Sequence, residues 1–477
     1  MVGVMLLFIA AMMLLPLGVS LYYQDGDTLA LVWSILITAA MGTGLMLLRR
    51  RGRDIGLREG FAVVTFAWAS AALSGSLPFV ISGAIPTFTD AFFESMSGFT
   101  TTGASILGPH NMIESLPHGI LFWRSLTHWL GGMGIILLSL AVLPMLGVGG
   151  MQLFRAEMPG PTKDKLTPRL RDTAEILWLV YFGFTVLEIL LLCIGGMSLF
   201  ESACNTFGTM ATGGFSTRSD SIGAYNSRYF EYVITVFMFL AGTNFALHYR
   251  FIHYRQPKRY IRNPEFRFYL MLVVIFTTLV IFYRLATNCG ENFETCFRHV
   301  IFQVVSILTT TGFGSADWEA WGAFPQVIMV ILMYIGGMAG STGGGVKVIR
   351  IQILVAQARL ELRRLIHPHA VIPLKIGQKL VDDGIVRNVM IFLLVFAAIL
   401  VVSTSVLSLM GIDMVTAFGA SIASLSNIGP GLGGVGASDN YGWLPSAAKW
   451  LLVWLMMLGR LEVFTVLVMF SRHFWRR

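Results

Sequence analysis

The chain has 477 residues, of which 55% are apolar and only 13% are charged. Soluble domains carry roughly a quarter charged residues, so this composition excludes an ordinary soluble protein and favours an integral membrane protein. The net charge of +8 does not indicate a nucleic-acid partner, because the basic residues are confined to alternate connections between apolar runs.

Ten apolar runs are long enough to cross about 30 Å of hydrocarbon. They lie near 3–23, 28–48, 60–82, 119–144, 175–196, 229–249, 267–287, 325–350, 385–410 and 446–470. The first run lacks a basic leader and a small-residue cleavage site, which favours a membrane span over a signal peptide. The sequence therefore predicts an all-α integral membrane protein with ten transmembrane helices.

Arginine and lysine cluster in every second connection between these runs. Basic residues fill the stretches 49–58, 155–171 and 250–267, and the chain ends in RHFWRR. The positive-inside rule assigns these connections and both termini to the cytoplasm, so we expect a multi-pass protein of the cytoplasmic (inner) membrane. The same basic surface also suits anionic membrane lipid or a cytosolic partner.

One unusual segment recurs four times along the chain. The copies are ESMSGFTTTGAS at 94–105, NTFGTMATGGFS at 205–216, VSILTTTGFGS at 305–315 and ASLSNIGPGLG at 423–433. With Gly103, Gly213, Gly312 and Gly429 taken as equivalent, the copies lie about 100 to 120 residues apart, which indicates module-sized repeats. Each copy follows a semi-apolar piece too short to span a membrane, near 88–100, 198–209, 294–308 and 413–425.

We interpret these segments as short helices and loops that enter the membrane from the outer side and return to it. Non-helical backbone at membrane depth survives only where protein buries it or where it lines a water-filled cavity. Four such loops around a pseudo-fourfold axis would present rings of carbonyl oxygens, which replace the water shell of a cation. The alternative is ordinary loops with packed glycines, but four copies in one orientation favour the re-entrant reading.

Acidic residues accompany the four copies. Three of them, Glu94, Glu201 and Asp413, are expected near the starts of the short helices, where an acid complements the positive helix end. Four others follow the loops and are expected to concentrate cations at an outer mouth: Asp220, Asp317, Glu319 and Asp439.

These four motifs together resemble the Trk/Ktr/HKT superfamily of potassium transporters, most closely its bacterial Trk branch, over nearly the whole chain. The resemblance implies a homodimer, a cytosolic nucleotide-binding regulatory ring and one potassium pathway. It also implies that filter oxygens come from Thr101, Thr102, Gly103, Ala211, Thr212, Gly213, Thr310, Thr311, Gly312, Asn427, Ile428 and Gly429. The resemblance further implies that glycine at the first filter position favours K⁺ over Na⁺, because relatives with serine there tend to favour Na⁺. Asparagine and isoleucine make the fourth loop depart from fourfold symmetry.

The repeats divide the chain into five predicted parts. Residues 1–58 form an N-terminal two-span addition. The four span–pore helix–span units are then 59–150, 151–255, 256–365 and 366–477, and the second span of the third unit is broken.

That break is the glycine-rich run GGMAGSTGGGVKVIR at 336–350, which cannot form a stable lipid-facing helix. It does not match a nucleotide-binding P-loop, because Val346 separates Gly345 from Lys347 and no Ser or Thr follows the lysine. A flexible loop under the filter is the better reading, and the resemblance also implies a gate there. The predicted gate residues are Gly336, Gly337, Gly340, Ser341, Thr342, Gly343, Gly344, Gly345, Lys347 and Arg460.

Arg460 lies inside the last apolar run, where a charge should face the bundle interior or a cavity. The residues allow two readings, a buried ion pair between helices and a cation beside the pore that limits occupancy and assists gating. The resemblance favours the second, because related proteins carry a basic residue in this span. For Arg124 and His128, one turn apart, snorkelling or a helix–helix hydrogen bond is favoured over a proton relay.

Three further features carry less weight. Cys289 and Cys296 fall on the predicted outer side, where a local disulfide is one option. His367 and His369 lack the other ligands of a metal site. The basic amphipathic stretch 351–384 suits the membrane surface, a soluble regulator or a second protomer.

The sequence thus predicts a potassium uptake protein that also accepts Rb⁺, and Na⁺ less readily, with K⁺ as cargo and no covalent cofactor. The residues offer no acid–base pair, nucleophile triad or zinc site, so no enzyme is expected. The rival reading is a secondary transporter of an organic solute with glycine-broken helices, although such proteins usually carry inverted repeats and few re-entrant loops.

Overall fold

The computed structural model describes residues 1–48, 57–108, 113–141, 166–255, 257–287, 290, 292–370 and 372–475. The fold is mostly helical. In the described residues the first ten helices are α1 (Val2–Met12), α2 (Leu14–Tyr23), α3 (Thr28–Leu47), α4 (Leu57–Ile81), α5 (Phe88–Phe99), α6 (His118–Ala141), α7 (Leu166–Ile194), α8 (Leu199–Met210), α9 (Arg228–Ala241) and α10 (Phe245–Tyr254). The others are α11 (Pro257–Arg262), α12 (Pro264–Ala286), α13 (Phe293–Leu308), α14 (Ala323–Ile335), α15 (Val348–Ile366), α16 (Asp383–Leu409), α17 (Met414–Ser426), α18 (Ser446–Arg460), α19 (Phe464–Leu467) and α20 (Arg472–Trp475).

Long apolar helices form the outside of the fold. In the described part of the chain, six helices are long and apolar enough to cross a membrane, or up to eight spans if each of two bent pairs counts as one. A multi-pass membrane protein is therefore confirmed in outline. The number ten and the five-part division of the chain stay predictions.

The four short helices lie within one residue of their predicted bounds: α5, α8, α13 and α17. Side-chain caps fix two of their starts, since Ser198 accepts from the Glu201 amide at 3.2 Å and Asp413 accepts from the Thr416 amide at 3.0 Å. The expectation for Glu94 was wrong. Asp90 is the acid in the first turn of α5, whereas Glu94 lies deeper in the helix and is fully buried.

Within the described residues, breaks occur in three spans, where the sequence predicted one. Besides the predicted break at 336–347, α9 and α10 are bent by 98° across 242–244, and α18 is followed by a 110° bend at 461–463. At the second bend Glu462 and Val463 adopt left-handed backbone angles, φ 61° and 50°. Neither residue favours that region, so surrounding contacts must hold them there.

A small hairpin departs from the all-α expectation. Strand β1 (Lys375–Ile376) pairs antiparallel with β2 (Lys379–Leu380) inside the basic stretch that follows α15. Before it, α15 buries one face through Val348, Ile353 and Leu360 and exposes Leu362 and Leu365. This confirms the amphipathic pattern of the stretch and leaves its partner open.

Some sequence features lie outside the described residues. These include Cys289, so the disulfide is not tested, and most of the basic residues at 49–58 and 155–171.

Candidate ion pathway

The same backbone turn ends each of the four short helices. One residue adopts left-handed angles, and the next amide donates back to a helix carbonyl five residues earlier at 2.8 or 2.9 Å. The left-handed residues are Thr101, Thr212, Thr310 and Asn427, with φ between 45° and 60°. The donors that follow them are Thr102, Gly213, Thr311 and Ile428. We call the residues 100–103, 211–214, 309–312 and 426–429 the glycine loops.

This shared turn corrects the register of the second glycine loop. Thr212, not Ala211, stands at the position of Thr101, and Gly214, not Gly213, stands at the position of Gly103. The left-handed glycines are therefore Gly103 (φ 80°), Gly214 (82°), Gly312 (79°) and Gly429 (98°). The sequence interpretation aligned the four copies on their glycines, and the two adjacent glycines of the second copy allow either register.

The four glycine loops contact one another in a closed ring. A Cβ added to Gly103 would lie 2.0 Å from the Gly213 carbonyl oxygen, and one added to Gly214 would lie 2.1 Å from that of Thr311. A Cβ on Gly312 would lie 1.9 Å from the Ile428 oxygen, and one on Gly429 would lie 2.8 Å from that of Thr102. Each glycine thus touches the carbonyl of the next loop, and no side chain fits at the contact.

The carbonyl oxygens at the ring are free for another ligand. Within the described residues, the carbonyls of Thr102, Gly213, Thr311 and Ile428 accept no hydrogen bond. Polar backbone at this depth needs a partner. A ring of such oxygens, at the negative ends of four converging helices, is suited to a dehydrated cation.

Three buried polar side chains brace the loops at one equivalent position, seven residues before the left-handed residue. Glu94 accepts from the Ser105 hydroxyl at 2.8 Å, Asn205 accepts from the Ser216 hydroxyl at 3.0 Å, and Gln303 donates to the Ala316 carbonyl at 3.2 Å. Each bond ties a short helix to the chain leaving its glycine loop. The sequence interpretation missed these three polar side chains, although their equal spacing in the three repeats reveals them.

Arg124 and His128 support the first two loops. Arg124 pairs with Glu94 at 2.7 Å, donates to the Ser216 carbonyl at 3.0 Å and lies 3.6 Å above the Phe215 ring. The His128 ring stacks on Phe215 and lies where any side chain at Gly213 would have to be. Both side chains are buried, so the snorkelling interpretation was wrong, whereas the bond from Arg124 to Glu94 agrees with a helix–helix hydrogen bond.

The fourth loop is held differently. The Asn427 amide donates to the Thr102 hydroxyl at 2.9 Å and to the Met456 carbonyl at 2.9 Å, joining the fourth loop to the first. In the first and third loops, by contrast, paired threonine hydroxyls lie 2.8 Å apart at the helix end. The predicted departure from fourfold symmetry is therefore visible in the side chains.

The segment 336–347 packs against the C-terminal ends of three short helices. The Thr342 hydroxyl donates to the Met210 carbonyl at 3.0 Å, the Gly344 amide to the Thr310 hydroxyl at 2.6 Å, and the Gly345 amide to the Ser426 carbonyl at 3.0 Å. Met210 and Ser426 are the last residues of α8 and α17, and Thr310 lies two residues beyond the end of α13. The segment therefore covers the side of the ring opposite the acidic residues.

Two basic side chains bind carbonyl oxygens of the segment 336–347. Lys347 donates to the Gly343 carbonyl, and Arg460 donates to the carbonyls of Thr342 at 2.8 Å and Gly131 at 3.1 Å. Arg460 is 2% exposed, and in the described part of the chain no carboxylate pairs with it. The interhelical ion pair belongs instead to Glu462, which Arg350 contacts from the first turn of α15.

Acidic side chains occupy the opposite side of the ring. Glu319 is half-buried and accepts from the Gly433 amide at 3.0 Å. Burial raises the pKa of Glu319 to about 7, the Gly433 amide opposes this, and the carboxylates of Asp317 and Asp439 add to it. Glu319 therefore gains its negative charge as the pH rises through neutrality.

We expect a pH-dependent supply of cations at this mouth. Between pH 6 and 8 ionisation of Glu319 should raise cation uptake from dilute solution by up to about fivefold, the effect of roughly 1 kcal/mol of attraction. The variant Glu319→Gln stays neutral and should lose most of this dependence. Uptake measured at both pH values checks it, and an equally steep profile in the variant would contradict the assignment.

The long apolar helices and the converging short helices define a multi-pass membrane protein of the transport class. The model of the TrkH family, described as cation transport protein, matches residues 29–477, and the chain belongs to that family. The Trk system potassium uptake protein TrkH of Salmonella typhimurium is 42% identical over 481 residues, covering 100% of this chain and 98% of the relative.

Two further similarities extend over the same length. The Trk system potassium uptake protein TrkG of Escherichia coli K12 is 36% identical, covering 97% of this chain and 95% of the relative. The crystal structure of the potassium transporter TrkH from Vibrio parahaemolyticus matches with a TM-score of 0.92 at 36% identity, covering 100% of this chain and 98% of that one. The predicted resemblance is thus confirmed.

Proposed function

We propose that the chain takes up K⁺ across the cytoplasmic membrane through a filter made by the four glycine loops. The observation that carries this proposal is the closed ring in which each left-handed glycine abuts the carbonyl of the next loop. Relatives named for potassium uptake support K⁺ as the cargo. The same names favour transport over an enzymatic role.

In this proposal a cation exchanges its water for carbonyl oxygens of the glycine loops. The four short helices direct their negative ends at the ring, which favours positive charge. The braces at Glu94, Asn205 and Gln303 keep the loops from collapsing when an ion leaves. Acidic side chains at the mouth raise the local cation concentration.

The segment 336–347 acts as the gate. It bonds to the ends of α8, α13 and α17, and Lys347 and Arg460 add positive charge to the path. An ion leaving the ring meets buried backbone and two cations, so the segment must move before conduction. Membership of the TrkH family favours this reading over an organic-solute transporter.

The proposed partners follow from the resemblance. A second copy of the chain, membrane lipid and a cytosolic nucleotide-binding regulatory ring would complete the system. The exposed leucines of α15 and the basic hairpin after it offer a surface for the regulator, whose binding would bias the adjacent gate segment.

Uptake by the purified chain tests the proposal. Proteoliposomes with an outward K⁺ gradient should accumulate tracer Rb⁺ faster than protein-free vesicles, and excess K⁺ should suppress this more than excess Na⁺. Failure to move any monovalent cation, without or with a regulator added, would overturn it.

A further inference from the structure

The glycine of the fourth loop differs from its three counterparts in several respects. Gly429 has φ 98°, whereas the others lie between 79° and 82°. Its approach to the next carbonyl is 2.8 Å, against 1.9 to 2.1 Å elsewhere in the ring. Gly429 is also buried, while Gly103, Gly214 and Gly312 keep partial exposure. The fourth corner of the ring therefore differs from the other three in backbone angle, contact and burial.

A tyrosine binds this glycine. The Tyr441 hydroxyl donates a hydrogen bond of 2.7 Å to the Gly429 carbonyl. In the described part of the chain, no group donates to the carbonyl of Gly103, Gly214 or Gly312. Of the four left-handed glycines, Gly429 is thus the one whose carbonyl oxygen is already bound by a described group of the protein.

Tyr441 is held firmly in place. Its ring is 2% exposed and packs 5.6 Å from the Phe93 ring, and its amide donates to the Ser105 carbonyl at 2.9 Å. Both contacts belong to the first repeat, and Ser105 is in turn bound to Glu94. The hydroxyl is consequently aimed at Gly429 by a rigid neighbour, not by a mobile side chain.

We infer that Tyr441 is a specificity-determining positioning residue, which withdraws the Gly429 carbonyl from the ion and leaves three glycine oxygens in the outer layer. This rests on the proposed filter. Discrimination between K⁺ and Na⁺ depends on the number and field strength of the coordinating carbonyls. A fourth oxygen favours the larger K⁺, so Tyr441 limits the selectivity of this chain.

The test is Tyr441→Phe in proteoliposomes, with Rb⁺ and Na⁺ uptake measured separately. We expect the Rb⁺ to Na⁺ ratio to rise about fivefold, the effect of one neutral hydrogen bond. The matched control is Tyr229→Phe, which removes a 2.9 Å tyrosine bond to the Leu191 carbonyl away from the loops and should leave the ratio unchanged. A tyrosine that merely stabilises the loop predicts the opposite, a lower ratio, and that result or an unchanged ratio would overturn the inference.

A second substitution covers the case in which Tyr441→Phe does not fold. Replacing Tyr441 by 3-fluorotyrosine keeps the volume and strengthens the donor, so the Rb⁺ to Na⁺ ratio should fall below that of the wild type. An unchanged or higher ratio would contradict the inference. Failure of this inference can be distinguished from failure of the proposed function, because only the latter predicts that the wild type takes up no cation.

Discussion

Gly312→Ser is expected to lower K⁺ uptake at least about tenfold and to bring the K⁺ to Na⁺ ratio toward one. Gly312 has φ 79°, a region that costs a residue with a side chain about 1–2 kcal/mol. A Cβ there would also lie 1.9 Å from the Ile428 carbonyl oxygen and 2.8 Å from Pro430. Relief of that collision must move the carbonyl that we assign to the ion. Tracer Rb⁺ and Na⁺ uptake into proteoliposomes measures both effects.

The neighbouring glycine supplies the control for this substitution. Gly314 has an ordinary backbone conformation, and a Cβ there would meet only the Ser221 side chain at 3.8 Å. Gly314→Ser should therefore conduct and select like the wild type. If the Gly312 and Gly314 variants showed the same uptake and the same K⁺ to Na⁺ ratio, the assignment of the third glycine loop to the ion pathway would be wrong.

Much of the ring was predictable, because its parts are local. Each short helix is bounded by polar or small residues, and its length excludes a span, so α5, α8, α13 and α17 were located within one residue. The glycines follow from backbone angles that other residues avoid. Repetition then turned four weak signals into one strong pattern.

The register error in the second loop has a physical cause. Gly213 and Gly214 are adjacent, and only the end of α8 at Met210 decides which is the left-handed one. One signal in the sequence would have found it: Asn205 precedes Thr212 by the same interval as Glu94 precedes Thr101 and Gln303 precedes Thr310. In the first three copies the polar brace marks the register more reliably than the glycine.

The break in the fourth repeat could not be predicted from composition. The run LGRLEVF contains no glycine or proline at 461–463, so its hydropathy is that of a continuous span. Tertiary contacts impose the bend, since Arg350 holds Glu462 and Arg460 binds the carbonyls of Thr342 and Gly131. A local pattern cannot reveal a partner more than a hundred residues away.

The gate gives the second large effect: deletion of residues 339–344 should raise K⁺ uptake about tenfold, as a shift of about 1.4 kcal/mol in a closed–open equilibrium would. The deletion removes the bonds from Thr342 and Gly344 to the ends of α8 and α13. It need not disrupt the flanking helices, because the two ends of the segment already lie next to each other. A Cβ on Gly345 would lie only 2.8 Å from the Gly336 Cα. Uptake without any regulator is the measurement.

A leak around a damaged protein would also raise uptake, and a double variant separates the two causes. If the deletion opens the filter pathway, adding Gly312→Ser must abolish the gained uptake, because every ion still crosses the ring. A leak would persist in the double variant and would lack selectivity for Rb⁺ over Na⁺. Unchanged or lower uptake in the single deletion would contradict the gate, since buried backbone and the Arg460 cation would then not limit conduction.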